Sequence, residues 1–362
     1  MKRNKISVAI SLLLSVIILF TNTASTAFAT GSCDEAEQVS GDVTVSGRFW
    51  ELFFGKREDE KTTGTVLIPS GTVFGARIVQ SFPSVVQSNT PSVKVGDIIL
   101  EVDGCKLKTV EEIKDHVAVS KNSSVRLLLG RGQNKISCTV TPTLEDGEYR
   151  LGIALKDTSA GIGTITYIDP ETGCFGGLGH GITDKDSGLL VDASGGEVTG
   201  VILGGIQKGE PGKPGELTGI LTDRVYGEIY ANTSVGIFGK LEQIPQGYIE
   251  VGIGQKEDVH NGEAEIISTV RNGKTARYRV EIYEIKRDEN GTKCFKIKVT
   301  DPTLLAITGG IVKGMSGSPI IQDGKLIGAV THVMIADPTE GYGIFIENML
   351  SASGAEVLPK AA

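Results

Sequence analysis

A serine stands between two glycines in the run Gly314-Met315-Ser316-Gly317-Ser318-Pro319, on a turn of small residues that leaves its hydroxyl open. Such a hydroxyl attacks a carbonyl when a base takes its proton and backbone N–H groups face the oxyanion that forms. Gly314 lets the chain bend so that its own N–H and that of Ser316 point the same way, which makes Gly314 and Ser316 the expected oxyanion hole. The residue two positions after Ser316 is Ser318 rather than glycine, so the run is not the G-x-S-x-G elbow of the α/β-hydrolases. Ser318 itself is the rival nucleophile. The chain has four histidines. His116 falls in a helical pattern, His260 in a polar loop, and His332 shortly after the serine, where it rivals the favoured base. That favoured base is His180, held on an open turn by Gly179 and Gly181. An orienting carboxylate for the imidazole has three candidates: Asp301 in Val299-Thr300-Asp301-Pro302, Asp184 four residues after His180, and Asp337.

His180, Asp301 and Ser316 come in the chain order of chymotrypsin. Together with Ser159-Ala160-Gly161-Ile162-Gly163-Thr164, Leu178-Gly179-His180 and Asp301-Pro302, the GMSGSP run resembles the stage IV B sporulation peptidase family, over about Ile68 to Leu350. The resemblance implies a mainly β chain with an N-terminal PDZ domain followed by a chymotrypsin-like antiparallel double β-barrel. It selects His180, Asp301 and Ser316 as the triad. It also implies an endopeptidase, without cofactor, that acts by an acyl-enzyme on a protein or peptide substrate, including its own N-terminal segment. By the same resemblance the enzyme is exported from the forespore into the space between its two membranes. There it cuts a regulator within a membrane-associated complex and so triggers late sigma-factor activation. A second reading stays open: a non-catalytic PDZ adaptor with a degenerate peptidase-like β domain.

Composition is compatible with this and excludes other classes. With 40% hydrophobic and 22% charged residues, 362 residues are enough for two or more folded domains. A net charge of −8 and no basic patch argue against nucleic-acid binding. Five scattered cysteines without C-x-x-C spacing make no disulfide framework, and no His, Cys or Asp cluster has metal-ligand spacing, so no metal site is expected. Residues 1–29 combine Lys2, Arg3 and Lys5 with an apolar run from Ile6 to Phe20 and the Ala27-Phe28-Ala29 site, which reads as an export signal, cleaved or retained as an anchor.

The elements that must position the serine and histidine are strands. After a linker over 30–64, whose Phe49–Phe54 run either packs on a domain or docks on a membrane surface or partner, a PDZ domain is expected over 65–145. Val93-Lys94-Val95-Gly96-Asp97-Ile98-Ile99-Leu100-Glu101-Val102-Asp103-Gly104 resembles the PDZ core phrase, and Thr109 with Glu112 makes a capping box for a helix through Val119. Its peptide groove is placed along Phe74, Gly75, Ala76, Arg77 and Ile78, for an internal peptide, a chain terminus or the chain's own segment. The peptidase domain is expected over 146–352, with a tail over 353–362. There short strands alternate with Asn272-Gly273, Asn290-Gly291 and Asp323-Gly324 hairpin signals, and long amphipathic helices are missing. The collagen-like Gly209–Leu217 run is read as a stiff surface loop without chemistry, and Ile327–Thr331 as the wall of a small apolar specificity pocket.

Overall fold

The computed structural model describes residues 65–354 other than Asn272. The export segment, the 30–64 linker with its aromatic run, the self-cleavage segment and nearly all of the tail lie outside the described residues.

The chain is mainly β. A short strand β1 (Val66–Pro69) leads into the 16-residue β2 (Val73–Ser88). There follow β3 (Ile98–Val102), helix α1 (Val110–Ser120), β4 (Val125–Arg131), β5 (Asn134–Val140) and a small hairpin of β6 (Thr143–Glu145) and β7 (Glu148–Arg150). The long strand β8 (Ile153–Ile168) then returns antiparallel along the whole of β2, from Ser88↔Ile153 to Val73↔Thr164. Next come β9 (Cys174–Gly177), β10 (Ala193–Gln207), β11 (Glu216–Thr233) and β12 (Gly236–Leu241), and then the two-residue β13 (Val251–Gly252). The pairings β8–β9, β9–β12, β12–β11, β11–β10, β10–β2 and β2–β8 close a ring, so six strands form a first antiparallel barrel. Its interior buries Phe74, Ile78, Ile165, Phe175, Ile229 and Ile237, with Phe74 set edge-on to Phe175 at 5.9 Å between ring centroids.

The second barrel is built from β14 (Gly262–Arg271), β15 (Lys274–Tyr283), β16 (Phe295–Val299), β17 (Pro319–Gln322), β18 (Lys325–Val333) and β19 (Glu340–Phe345), closed in the order β14-β15-β16-β19-β18-β17. Helix α2 (Pro302–Thr308) sits between β16 and the serine turn, and α3 (Ile346–Ala352) closes the described chain. Ile266, Ile282, Phe295, Ile297, Ile344 and Phe345 fill this barrel. Each such side chain contributes roughly 1.5–3 kcal/mol by leaving water. Asp323-Gly324 makes the tight turn expected of it, both residues having positive φ, between β17 and β18. Asn290-Gly291 instead lies in the longer connection between β15 and β16.

The PDZ module has its own core, from Val85, Ile99, Val102, Ile113, Leu127 and Leu129. The capping box forms as written in the sequence: the Glu112 N–H donates to Thr109 Oγ1 and the Thr109 N–H to the Glu112 carboxylate. Asp97, nearly fully buried, receives the Arg131 guanidinium at 2.6 Å and the Lys94 N–H at 2.8 Å, which fixes the Gly96-Asp97 turn.

Two expectations need correction here. The PDZ module does not span 65–145 ahead of the peptidase domain. Ile78 belongs to the first-barrel core and Val85 to the PDZ core, so the module is an excursion between β2 and β8, two strands of the barrel itself. The groove placed on Phe74, Gly75, Ala76, Arg77 and Ile78 is overturned for the same reason. That stretch pairs with β8 on one side and β10 on the other, so no edge is free to accept a further strand. The edge beside the PDZ helix belongs to the start of β8. Here Ile153, Ala154 and Leu155 pair only with β2 among the described residues, α1 packs against the strand, and the Val110 N–H donates to Asp157 Oδ2 at 2.9 Å.

Candidate active site

His180 leaves the first barrel at the end of β9, and Ser316 precedes β17 of the second, so the two meet where the barrels adjoin. Both line one cleft of about 1000 Å³, together with Gly314, Thr331 and His332. Leu178 and Gly179 both take left-handed φ, 66° and 65°, immediately before His180. For a leucine that conformation is strained, the kind of strain a rigid scaffold holds at a working site.

The half-buried His180 ring has Nδ1 3.0 Å from the carbonyl oxygen of Gly181. That contact selects the tautomer with the proton on Nδ1 and leaves Nε2 as the free base nitrogen. Burial pushes the imidazole below the ordinary histidine value, and the Gly181 contact offsets part of this. The His332 ring lies 5.0 Å from His180 between centroids. Burial, then the neighbouring His180 and Lys293, hold its pKa down at about 4, so it is uncharged at neutral pH. Its buried Nδ1 takes no hydrogen-bond partner among the described residues.

Ser316 Oγ donates to the Thr331 carbonyl at 2.7 Å. The turn that carries it is pinned from the first barrel: the Thr164 N–H donates to the Ser316 carbonyl at 3.0 Å, Thr164 Oγ1 to the Gly314 carbonyl at 2.8 Å, and Thr166 Oγ1 to the Gly317 carbonyl at 2.8 Å. With their carbonyls held this way, the Gly314 and Ser316 N–H groups have no hydrogen-bond partner among the described residues, as an oxyanion hole requires. Gly317 is glycine for a reason of space. Its φ is 94°, and a Cβ there would collide with the Thr164 carbonyl and with Leu178.

Asp301 is not brought to His180. It is the N-cap of α2: its Oδ1 accepts from the Thr303 N–H at 2.8 Å and the Leu304 N–H at 3.1 Å, with Pro302 beginning the helix. Burial would raise its pKa, but the combined N–H bonds from Leu304, Arg279 and Thr303 outweigh that and hold the carboxyl below the usual range. The contact expected of an orienting aspartate is made instead by the Gly181 carbonyl. Asp184 points elsewhere too, to Ser187 and to Lys156, and Asp337 binds Thr339. Ser318, fully buried, donates to Ser268 Oγ at 3.0 Å and faces the barrel interior. His116 pairs with Asp103 and His260 with Asp323, each outside the cleft.

The collagen-like loop is more than a surface feature. The Gly209 N–H donates to the Thr308 carbonyl and the Gly212 N–H to the Ile335 carbonyl, while Lys313 exchanges backbone bonds with Gly215 and Leu217, so the loop braces the serine turn, and Pro214 and Glu216 line the cleft. Of the expected specificity wall, Thr331 lines the cleft with His332 and Val333, whereas Ile327, Ala329 and Val330 are buried in the barrel. Thr164, Thr166 and the Gly181 carbonyl are the functional groups that sequence reading missed. Threonines two apart on one face of the otherwise apolar second half of β8, residues 162–168, were the available signal.

Among the described residues no group of three or more His, Cys, Asp or Glu side chains is placed to hold a metal. The chain shares 16% identity with the active form of the Rv3671c protease from M. tuberculosis, over 74% of this chain and 93% of that one, at a TM-score of 0.31. With the PDZ domain of the SdrC-like protein from Listeria monocytogenes it shares 22% identity over 22% of this chain and 93% of that one, at a TM-score of 0.21. A Clostridium perfringens protein, CPE1693, which by name is a zinc metalloprotease, is 29% identical over 94 residues, 25% of this chain and 28% of the relative's own length. Residues 147–350, which carry the serine turn, the glycine-flanked histidine, five of the six strands of the first barrel and all six of the second, match the SpoIVB peptidase S55 model, and the chain therefore belongs to that family of serine peptidases.

Proposed function

We propose that the protein is an endopeptidase in which His180 and Ser316 carry out acyl transfer on an extended protein substrate. Nε2 of His180 takes the Ser316 proton as Oγ attacks the carbonyl carbon, the Gly314 and Ser316 N–H groups receive the oxyanion, and the imidazolium returns the proton to the leaving amine. Water then repeats the sequence on the acyl-enzyme. The Ser316–Thr331 bond is a resting arrangement, and attack requires a rotation of the serine χ1 away from that carbonyl. The observation that carries this reading is the one cleft between two barrels that is lined by a tautomer-fixed histidine, a half-buried serine and two unengaged N–H groups.

Substrate selection falls to backbone pairing along β8. Thr164 directs its N–H away from β2 and onto Ser316, and by the period-two alternation of a strand Ile162, Ala160 and Thr158 direct theirs the same way, into the cleft. The family's name supports a sporulation role. In that setting the enzyme, exported to the forespore intermembrane space, cuts a regulatory protein of a membrane-associated complex, and its own N-terminal segment, towards late sigma-factor activation. PDZ ligands are placed on the β8 edge at Ile153–Asp157 beside α1.

A fluorophosphonate applied to the full chain tests the chemistry. Labelling of wild type that is lost in Ser316→Ala and in His180→Ala supports it. An unlabelled wild type gives the adaptor reading instead.

A further inference from the structure

Lys156 and Asp157 are consecutive residues of β8 at the point where the barrel passes into the PDZ module, marked by the register shift between Val79 and Ser84 of β2. Consecutive strand residues face opposite ways, and these two reach opposite structures. Asp157 accepts from the Val110 N–H at the first turn of the PDZ helix, at 2.9 Å. The Lys156 ammonium lies 2.7 Å from Asp184 Oδ2 and 3.2 Å from Asp186 Oδ2, both on the loop that follows His180.

That loop is a closed unit. Asn232 grips its base, taking the Ile182 N–H at 2.8 Å and donating to the Ile182 and Val191 carbonyls at 2.9 Å each. Its tip is drawn together by Asp184 Oδ1, which accepts from the Ser187 N–H and the Asp186 N–H. Lys156 is the one cation, among the described residues, that pairs with either tip carboxylate. The PDZ turn abuts the same tip, since a Cβ on Gly96 would lie 3.1 Å from Ser187 Cα. Asp184 keeps only 8% of its side-chain surface exposed and Lys156 28%, so loss of the ammonium leaves Oδ2 of a nearly buried carboxylate without its cation, its charge then met only by the loop-tip bonds to Oδ1, which costs more than loss of a solvated surface pair.

We propose that Lys156 is a positioning residue of the peptidase: by clamping Asp184 and Asp186 it fixes the loop that holds His180 against Ser316, and it ties that loop to the strand beside the PDZ helix. The proposal rests on His180 as the base. A displacement of a reacting group by about 1 Å costs on the order of a hundredfold in rate, so a loosened His180 loop is read in the chemical step before it is read in binding.

The test uses the full chain and a fluorophosphonate, whose reaction with the serine depends on the base but not on any natural substrate. Lys156→Met is expected to lower kinact by about tenfold or more with KI within about twofold, and Lys156→Arg to restore kinact to within about threefold. Asp184→Asn alone should reproduce the loss, and the pair Lys156→Met with Asp184→Asn should be no slower than either single variant, as coupled positions are. Near-ultraviolet circular dichroism separates this from misfolding, and Asp184→Asn, which keeps size and shape, serves if Lys156→Met does not fold. Wild-type kinact in the folded variants, or additive losses in the pair, overturns the proposal. His180→Ala run in parallel keeps the two readings apart: if it still labels at the wild-type rate, the assignment of the base has failed rather than the clamp.

Discussion

The imidazoles of His180 and His332 lie 5.0 Å apart, tilted by 36°, and only His180 has its Nδ1 engaged, by the Gly181 carbonyl. Both rings are held below the ordinary histidine pKa, so both are neutral when the base is needed. The acid limb of kcat/KM should therefore have its midpoint below about 6.5. Stability follows the same groups. Between about 6.5 and about 4 the unfolded chain binds a proton that folded His332 does not, so stability declines as pH falls through that window, by up to about 3 kcal/mol for this one group. His332→Gln cannot take that proton. Urea unfolding at pH 7 and pH 4.5 should show the smaller loss in the variant, and equal losses would refute the assignment.

Ser316 and Ser318 should respond in opposite ways. Ser316→Ala is expected to remove turnover by at least about 10⁴-fold with the unfolding midpoint unchanged. Ser318→Ala removes a buried hydroxyl from a pair with Ser268 and should cost about 1 kcal/mol of stability with turnover within about threefold. Peptide hydrolysis and thermal unfolding on the same samples decide it.

Asp301 tests the distinction between a cap and a triad member. As the N-cap of α2, its replacement by asparagine keeps an acceptor for the Thr303 N–H, so turnover should fall less than about tenfold. Asp301→Ala should cost about 1 kcal/mol. An orienting carboxylate would instead lose about 10⁴-fold on Asp301→Asn, a gap of about 4 kcal/mol in the barrier that steady-state rates resolve easily.

Thr164→Val keeps the shape of a fully buried side chain and deletes the hydroxyl that holds the Gly314 carbonyl. The carbonyl left unsatisfied costs about 1–3 kcal/mol. Because the Gly314 N–H is half of the oxyanion hole proposed above, kcat should drop by about ten- to a hundredfold while KM changes little. A rise in KM at constant kcat would show that Thr164 acts on substrate binding instead.

Much of this architecture can be read from residue patterns that are local. The Thr109–Glu112 box, the Asp323-Gly324 turn and the glycines around His180 each act within a few residues, and each appears in the structure where the sequence puts it. Long-range pairing is what local pattern cannot carry. Val73–Ser88 reads as apolar β sequence, but nothing in it says that its first half pairs on both sides inside a barrel while its second half serves another module. The Asp301-Pro302 pair illustrates the same limit from the other side. Aspartate before proline is a good helix start, and only the fold shows that its carboxylate is used there and that a backbone carbonyl, invisible in any side-chain motif, takes the histidine.

The insertion of the PDZ module between β2 and β8 has a consequence for how the chain folds. Phe74 and Gly163 are partners in the first barrel although 89 residues separate them, and joining strands that far apart through a flexible loop is entropically slow. The module shortens that search. Once its own core has formed, Ser88 and Ile153 are already paired, and the rest of β2 and β8 can zip from that end towards the serine turn. On this route the barrel that carries His180 takes its closing contact from a neighbour that folds before it. A lesion buried in the PDZ core, Leu127→Ala for example, should then slow refolding of the whole peptidase as well as weaken the module it sits in.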